Sequence, residues 1–317
     1  MKILFHDNSL SFRGTTIALY DYAYYNQEIL GNESVITYNI NDVNTNQRVL
    51  EKFKKHFNVV AYDNFSEVDN ILQKEMCDKL YIIKSGETNY QVSNCRDTLV
   101  HAVFPQSISQ KHGTRYAFVS EWLSKVCSNY SIDNVPHMIN MADTNDTLRS
   151  DLNIGRDDYV FGRYGGYETF DIDFVKAEII HSLNTYNNYW FVFMNTEKFI
   201  NHPRVLFLQA DSDMMIKRKF INTCDFMIHA RYQGESFGLS VLEFACLNKQ
   251  IITYGSSPEN SHLMYLGNNC YIYNNATDLR YIFDNVQKNQ FDTYYLNDTF
   301  SPRVIMEKFN KVFLENL

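Results

Sequence analysis

Residues 225–255 read DFMIHARYQGESFGLSVLEFACLNKQIITYG. DFMIHAR is an apolar run of strand length, FGLSVLEFACLN spaces its apolar residues as a helix does, and IITYG is a second β-branched run. Two apolar strands joined through a helix make a parallel β-α-β unit. The same rhythm extends upstream. YVFGRY, WFVFMN and RVLFLQ read as strands, with FVKAEIIHSLNTY and MIKRKFINTC as helices. Closer to the N-terminus, KILFH, SVITYN, NVVAY, KLYIIK, TLVHAVF, RYAFVS and VPHMI read as strands. GTTIALYDYAYYNQEIL, NQRVLEKFKKHF, VDNILQKEM and EWLSKVCSNY read as helices among them. The polar stretch MADTNDTLRSDLNIGRD, residues 141–157, interrupts the rhythm and reads as a linker. The alternation predicts two α/β halves, each a parallel sheet covered by helices.

Composition bounds the function. With 317 residues and 45% hydrophobic content, the chain can bury a sizeable core. A formal net charge of -8 argues against nucleic acid as the partner. The six cysteines, at 77, 95, 127, 224, 246 and 270, form no CxxC pair, which argues against a zinc or redox motif. MKILFHDNSL lacks the apolar core of a signal peptide, and no apolar run approaches the roughly 18 residues of a membrane span. The expectation is a soluble, cytoplasmic protein. Arg48, Lys52, Lys54 and Lys55 make one helix basic, which reads as a solvated face in preference to peripheral membrane contact.

The quoted stretch also carries two carboxylates, Glu235 and Glu243, eight positions apart. The loop between strand and helix lies at a carboxyl end of the sheet, where open α/β folds bind ligands. Backbone N–H groups at Phe237–Ser240 would open the helix and suit a phosphate, with Gly238 permitting close approach. Glu243, roughly 7 Å further along the axis, would then reach an attached ribose, and Glu235 the group beyond the phosphates. A nucleotide-sugar has this form. The competing reading is a capping box, Ser240-Val-Leu-Glu243, in which Glu243 only ties down the helix start.

ESFGLSVLE resembles the E-x7-E motif of retaining glycosyltransferases with the GT-B fold, especially glycosyltransferase family 4. YAFVSEWLSKV (116–126) resembles the strand-helix element of that family, and VPHMINMAD (135–143) a degraded form of its segment before the linker. Arg13-Gly14-Thr15-Thr16 stands where the family has a Gly-rich first loop. The resemblance implies two Rossmann-like domains facing a central cleft: residues 1–145 on the acceptor side, 146–300 on the donor side, and a C-terminal helix at 301–317 packing back on the first domain. It implies transfer of a hexose, with retained anomeric configuration, from a UDP- or GDP-sugar to a glycan or other hydroxyl acceptor, without metal or other cofactor. Glu243 would hold the ribose; Phe237, Gly238, Leu239 and Arg163 the diphosphate; Glu235 the sugar hydroxyls. His101 and Gly14 would approach the sugar from the first domain. The family's lysine five or six residues after Arg163 is missing, since Glu168 and Thr169 occupy that region, and Arg231 is the candidate replacement. That gap keeps open a non-catalytic nucleotide-sugar binding module or an assembly subunit. Asp211-Ser212-Asp213 is a D-x-D triplet, read as the start of a helix and not as a metal site.

Overall fold

A computed structural model describes residues 1–211 and 213–315. The chain divides into two compact units, Met1–Asn140 with Thr299–Leu317, and Met141–Asp298.

In the first unit the strands are β1 (Lys2–His6), β2 (Glu33–Asn39), β3 (Asn58–Tyr62), β4 (Lys79–Lys84), β5 (Asp97–Ala102) and β6 (Arg115–Phe118). The helices are α1 (Gly14–Glu28), α2 (Gln47–Lys54), α3 (Val68–Lys74) and α4 (Glu121–Ser128). The six strands form one sheet in the order β3-β2-β1-β4-β5-β6, every neighbouring pair parallel. The continuous apolar runs KILFH and KLYIIK are buried on both faces, as central parallel strands must be. The chain builds outward from β1 to β3 and then returns to lay β4 beside β1. The strand order therefore reverses between β1 and β4, and the loops leave that point in opposite directions.

In the second unit the strands are β7 (Tyr159–Tyr164), β8 (Tyr189–Met194), β9 (Val205–Leu208), β10 (Phe226–His229), β11 (Gly234–Glu235), β12 (Gln250–Tyr254), β13 (Glu259–Asn260) and β14 (Tyr271–Tyr273). The helices are α5 (Asp173–Thr185), α6 (Met214–Thr223), α7 (Leu239–Cys246), α8 (Ser261–Leu266), α9 (Ala276–Asn285) and α10 (Tyr295–Thr299). Six strands again form a parallel sheet, β14-β12-β10-β7-β8-β9, with the reversal between β7 and β10. An aromatic core of Phe161, Phe191, Phe193, Phe226 and Phe283 holds it. The dipeptide strands β11 and β13 pair on their own. Gly234 allows that pairing: its φ is +77°, and a Cβ there would lie 2.0 Å from the Glu259 carbonyl oxygen.

The last helix, α11 (Pro302–Phe309), runs into a π turn at Asn310–Leu314. It belongs to the first unit, where Phe309 lies 5.3 Å from the rings of Tyr22 and Tyr81 and Phe313 5.6 Å from that of His101. Residues 316 and 317 of the stretch read as this helix lie outside the described residues. No helix among the described residues is long and apolar enough to cross a membrane.

Two readings of local structure are corrected. VPHMI is not a strand: Asn134, just before it, makes a single bridge to Phe118, and residues 135–139 form no strand. They bury apolar side chains, but after Val135 N–H, which donates to the Phe118 carbonyl of β6, the backbone leaves the sheet, and Ile139 N–H donates to the Phe300 carbonyl. Helix α7 begins at Leu239, two residues later than its apolar spacing suggests, because Gly238 adopts a left-handed conformation.

Candidate functional site

The reversal point of the second unit gathers most of the residues that the sequence singles out. Arg163 and Tyr164 end β7, His229 ends β10, and Arg231, Glu235 and Gly238 follow on the way into α7.

Gly238 is the N-cap of α7, at φ 91°, and no side chain caps the helix. Ser240 therefore lies inside the first turn and makes no capping box with Glu243. The first N–H groups of α7 have no intrahelical acceptor and mark the partially positive helix end. A Cβ on Gly238 would lie 2.9 Å from that of His262 and 3.3 Å from that of Glu235, so the turn is tight against both. Phe237 is buried with its ring 6.0 Å from that of Tyr265. Leu239 is half-buried.

Glu235 is held by a directional chain of hydrogen bonds. His262 Nε2 and Thr253 Oγ1 are 2.9 Å apart, Thr253 Oγ1 and His229 Nδ1 are 2.9 Å apart, and His229 Nε2 is 3.2 Å from Glu235 Oε1. Since a carboxylate only accepts, His229 Nε2 donates to Glu235. A neutral His229 then accepts from the threonine hydroxyl, which in turn accepts from His262. Arg231 Nη1 donates to the other oxygen, Oε2, at 3.2 Å. Burial pushes the Glu235 carboxyl up, but the His229 bond and the charges around it outweigh burial and hold it below its ordinary value. His262 is lowered to about 3, mainly by burial, and stays neutral.

Glu243, the fifth residue of α7, is 2% exposed. Its Oε1 accepts from Lys217 of α6, itself 2% exposed, whose ammonium lies 4.5 Å over the ring of Tyr164. Oε2 is buried and has no hydrogen-bond partner among the described residues. Burial raises the Glu243 carboxyl, and Lys217 opposes it.

Arg163 is almost fully buried, and its guanidinium is committed to the protein. Nη1 donates to the Asn195 carbonyl at 3.1 Å and to Thr196 Oγ1; Nη2 donates to the Gly166 carbonyl and to Thr169 Oγ1, both at 2.7 Å. It braces the 165–169 loop, and Thr169, at the place of the missing lysine, is one of its partners. Burial lowers it to about 10, leaving it charged at neutral pH.

The residues of the first unit stand differently. His101, on β5, is fully buried with both ring nitrogens used: Tyr81 Oη is 2.6 Å from Nδ1 and the Val135 carbonyl is 2.8 Å from Nε2. A carbonyl only accepts, so Nε2 carries the proton. Burial lowers the ring to about 3. This imidazole ties β5 to the segment after α4 and leaves no nitrogen for a sugar. Gly14 is the first residue of α1, after the extended Arg13. Asp213 caps α6 through Met215 N–H at 2.8 Å, and Asp211 accepts from Asp213 N–H at 2.9 Å; Ser212 lies outside the described residues.

Sequence reasoning missed Lys217, Thr253, His229 and His262. His229 stands at a strand end within the quoted stretch, a signal that could have been read. Nothing local marks Lys217, since a lysine in an amphipathic helix ordinarily faces solvent.

No protein-family model matches the chain, and no curated protein does. Solved structures do. A glycosyltransferase from Rickettsia africae superposes with a TM-score of 0.70 at 12% identity over 99% of either chain. HepE from Anabaena, solved with UDP and with UDP-glucose, superposes at 0.72 with 13% identity over 98% of this chain and 99% of that one. A protein from Listeria monocytogenes assigned as a UDP-N-acetylglucosamine 2-epimerase gives 0.64 at 12% identity over 100% and 97%. At these identities the likeness is one of fold, and the fold is GT-B.

Proposed function

We propose that the chain is a glycosyltransferase that binds a nucleoside diphosphate sugar at the carboxyl edge of the second unit's sheet. The diphosphate lies against the first N–H groups of α7, where the helix dipole favours negative charge. The ribose hydroxyls donate to Glu243. Arg231 stands beside the leaving phosphate, and Glu235, fixed by His229, accepts from hydroxyls of the sugar. Transfer proceeds with retention, as the E-x7-E resemblance implies, and needs no metal, since helix N–H groups and Arg231 stabilise the departing diphosphate. Arg163 acts by shaping the 165–169 loop.

The observation that carries this reading is Glu243. A buried carboxylate oxygen without a partner costs about 1–3 kcal/mol or more, and a capping role, which would account for it, is absent. Ribose hydroxyls complete it. HepE binds UDP and UDP-glucose on the same fold, which supports a uridine donor.

A second reading is a binding module without turnover. It is favoured by the commitment of Arg163 to the protein and of Glu243 to Lys217. Calorimetric titration with UDP-, GDP- and ADP-sugars tests the site common to both readings. One donor should bind saturably, and Arg231→Ala should weaken the nucleoside diphosphate more than the free nucleoside. No binding of any donor would overturn both.

A further inference from the structure

The first unit has its own reversal point, between β1 and β4, and a buried cation stands there. Lys84, the last residue of β4, is 8% exposed. Its ammonium donates to Asn89 Oδ1 and approaches His112 Nε2 at 3.0 Å. His112 Nδ1 is 2.7 Å from the Gln110 carbonyl, so Nδ1 carries the proton and Nε2 accepts from the lysine. Both partners are neutral acceptors. Among the described residues no carboxylate lies within 4.0 Å of Lys84, and its ammonium has two acceptors, Asn89 and His112. Glu87 on the following loop acts on it only at a distance.

Buried charges are ordinarily paired. The surroundings of Lys84 are arranged for a charge that the protein itself does not supply. Asn89 also accepts from Gln91 N–H at 3.0 Å, and Gln91 Nε2 donates to Asn8 Oδ1 at 2.8 Å, so the loop after β4 is tied to the loop after β1. His6 Nδ1, at the end of β1, and Ser9 Oγ, in the loop beyond it, are buried without partners among the described residues. Lys84 is also felt at His6, which burial and then the lysine's charge lower to about 3. Tyr90 and Phe104 expose their rings on the two loops that carry Asn89 and His112. Polar groups converging beside exposed rings are the usual make-up of a small-molecule site. With a formal net charge of -8, the chain has no general attraction for anions, so an anion bound here is bound by this arrangement.

We propose that the first unit binds a small anionic ligand, a sugar carrying a carboxylate or a phosphate, with the anionic group on Lys84. That this ligand is the acceptor rests on the glycosyltransferase reading; that an anion binds at Lys84 does not. Calorimetric titration of the full chain at low ionic strength with inorganic phosphate, glucose 6-phosphate, glucuronate and glucose tests it. Glucose 6-phosphate or glucuronate should bind saturably and glucose should not, the stronger of the two anions identifying the charged group; phosphate reports the anion subsite alone. Lys84→Met should weaken the anion roughly tenfold to a hundredfold, the range for a hydrogen bond to a charged group. Asn89→Asp, at an exposed position, places a carboxylate on the ammonium and should weaken the anion likewise; it decides the matter if Lys84→Met does not fold. The proposal is overturned if no anion binds, or if a folded variant binds as tightly as the parent. Anion binding lost while UDP binding persists sinks this inference alone, and the converse sinks only the glycosyltransferase reading.

Discussion

Replacing Glu243 by Gln separates two roles of one carboxylate. Oε1 is paired with Lys217, and both residues are 2% exposed. Removing the negative charge leaves a buried ammonium without its carboxylate, and breaking such a pair on one side costs about 3–5 kcal/mol of folding stability. Oε2 is free to accept from ribose, and losing a hydrogen bond to a charged group costs about 1.5–3 kcal/mol of binding, roughly a tenfold to hundredfold rise in the Kd for UDP. The double variant Glu243→Gln, Lys217→Met removes both charges, and replacing a buried pair by neutral side chains of similar size is often neutral for stability. Urea unfolding should therefore show a large loss in the single variant and most of it restored in the double. Calorimetry with UDP should show weakened binding in both. If the double variant regains the parent's affinity for UDP, Glu243 serves the fold alone and the ribose lies elsewhere.

Arg163→Ala should lower stability by about 3 kcal/mol, because four acceptors around the 165–169 loop lose a charged donor; thermal unfolding reads this, and unchanged stability would refute the bracing role. Burial lowers His6, His101 and His262 to about 3, while in the unfolded chain each takes its proton near 6.5. The folded state therefore binds fewer protons between these values, so stability is full above about pH 6.5 and is lost as pH falls towards 3, by about 1.4 kcal/mol per histidine per pH unit. Asp7, raised by burial to about 6, opposes this, and three histidines outweigh it; urea titrations at pH 7 and pH 5 should differ accordingly. Asp213→Ala should cost about 1 kcal/mol, the worth of a helix cap, and turnover should persist in excess EDTA. Loss of activity in EDTA, restored by manganese, would contradict a metal-independent transfer.

The fold was legible because parallel strands buried on both faces leave unbroken apolar runs. KILFH, KLYIIK and YVFGRY each match a strand residue for residue, and so does NVVAY, a less buried edge strand. The reading failed where apolar content and backbone pairing part company. VPHMI is as apolar as a strand, but only Val135 N–H bonds to the sheet, at the Phe118 carbonyl, and no ladder follows. FG before α7 fits the helical spacing, yet Gly238 takes a left-handed turn that spacing cannot register. Between 256 and 300, α8, α9 and α10 went unread: α8 and α10 are short, and α9 sets its buried Leu279, Ile282 and Phe283 among polar neighbours. Of the candidate site, the part that could be read is local: Arg231, Glu235 and Gly238 all fall between β10 and α7. What was not legible depends on residues distant in the chain. Lys217 meets Glu243 across 26 positions, and the chain from His262 to Glu235 closes only once β10, β12 and α8 are assembled. His101 could be matched to a family position, but its burial among Tyr22, Tyr81, His137 and Phe313 is a property of the packed unit.

The central claim is that a sugar leaves its nucleotide on this protein with its anomeric configuration kept. Proton NMR of UDP-glucose incubated with the chain, extended to other donors chosen by calorimetry, follows the anomeric signal directly. The donor's α-anomeric signal should give way to an α-linked product, or, with water as acceptor, to α-glucose ahead of its mutarotation, together with free UDP. A first-formed β-anomer would contradict retention. Conversion to an epimer still joined to UDP would assign the chain the chemistry named for its Listeria neighbour, and an unchanged spectrum of a donor shown to be bound would leave only the binding module.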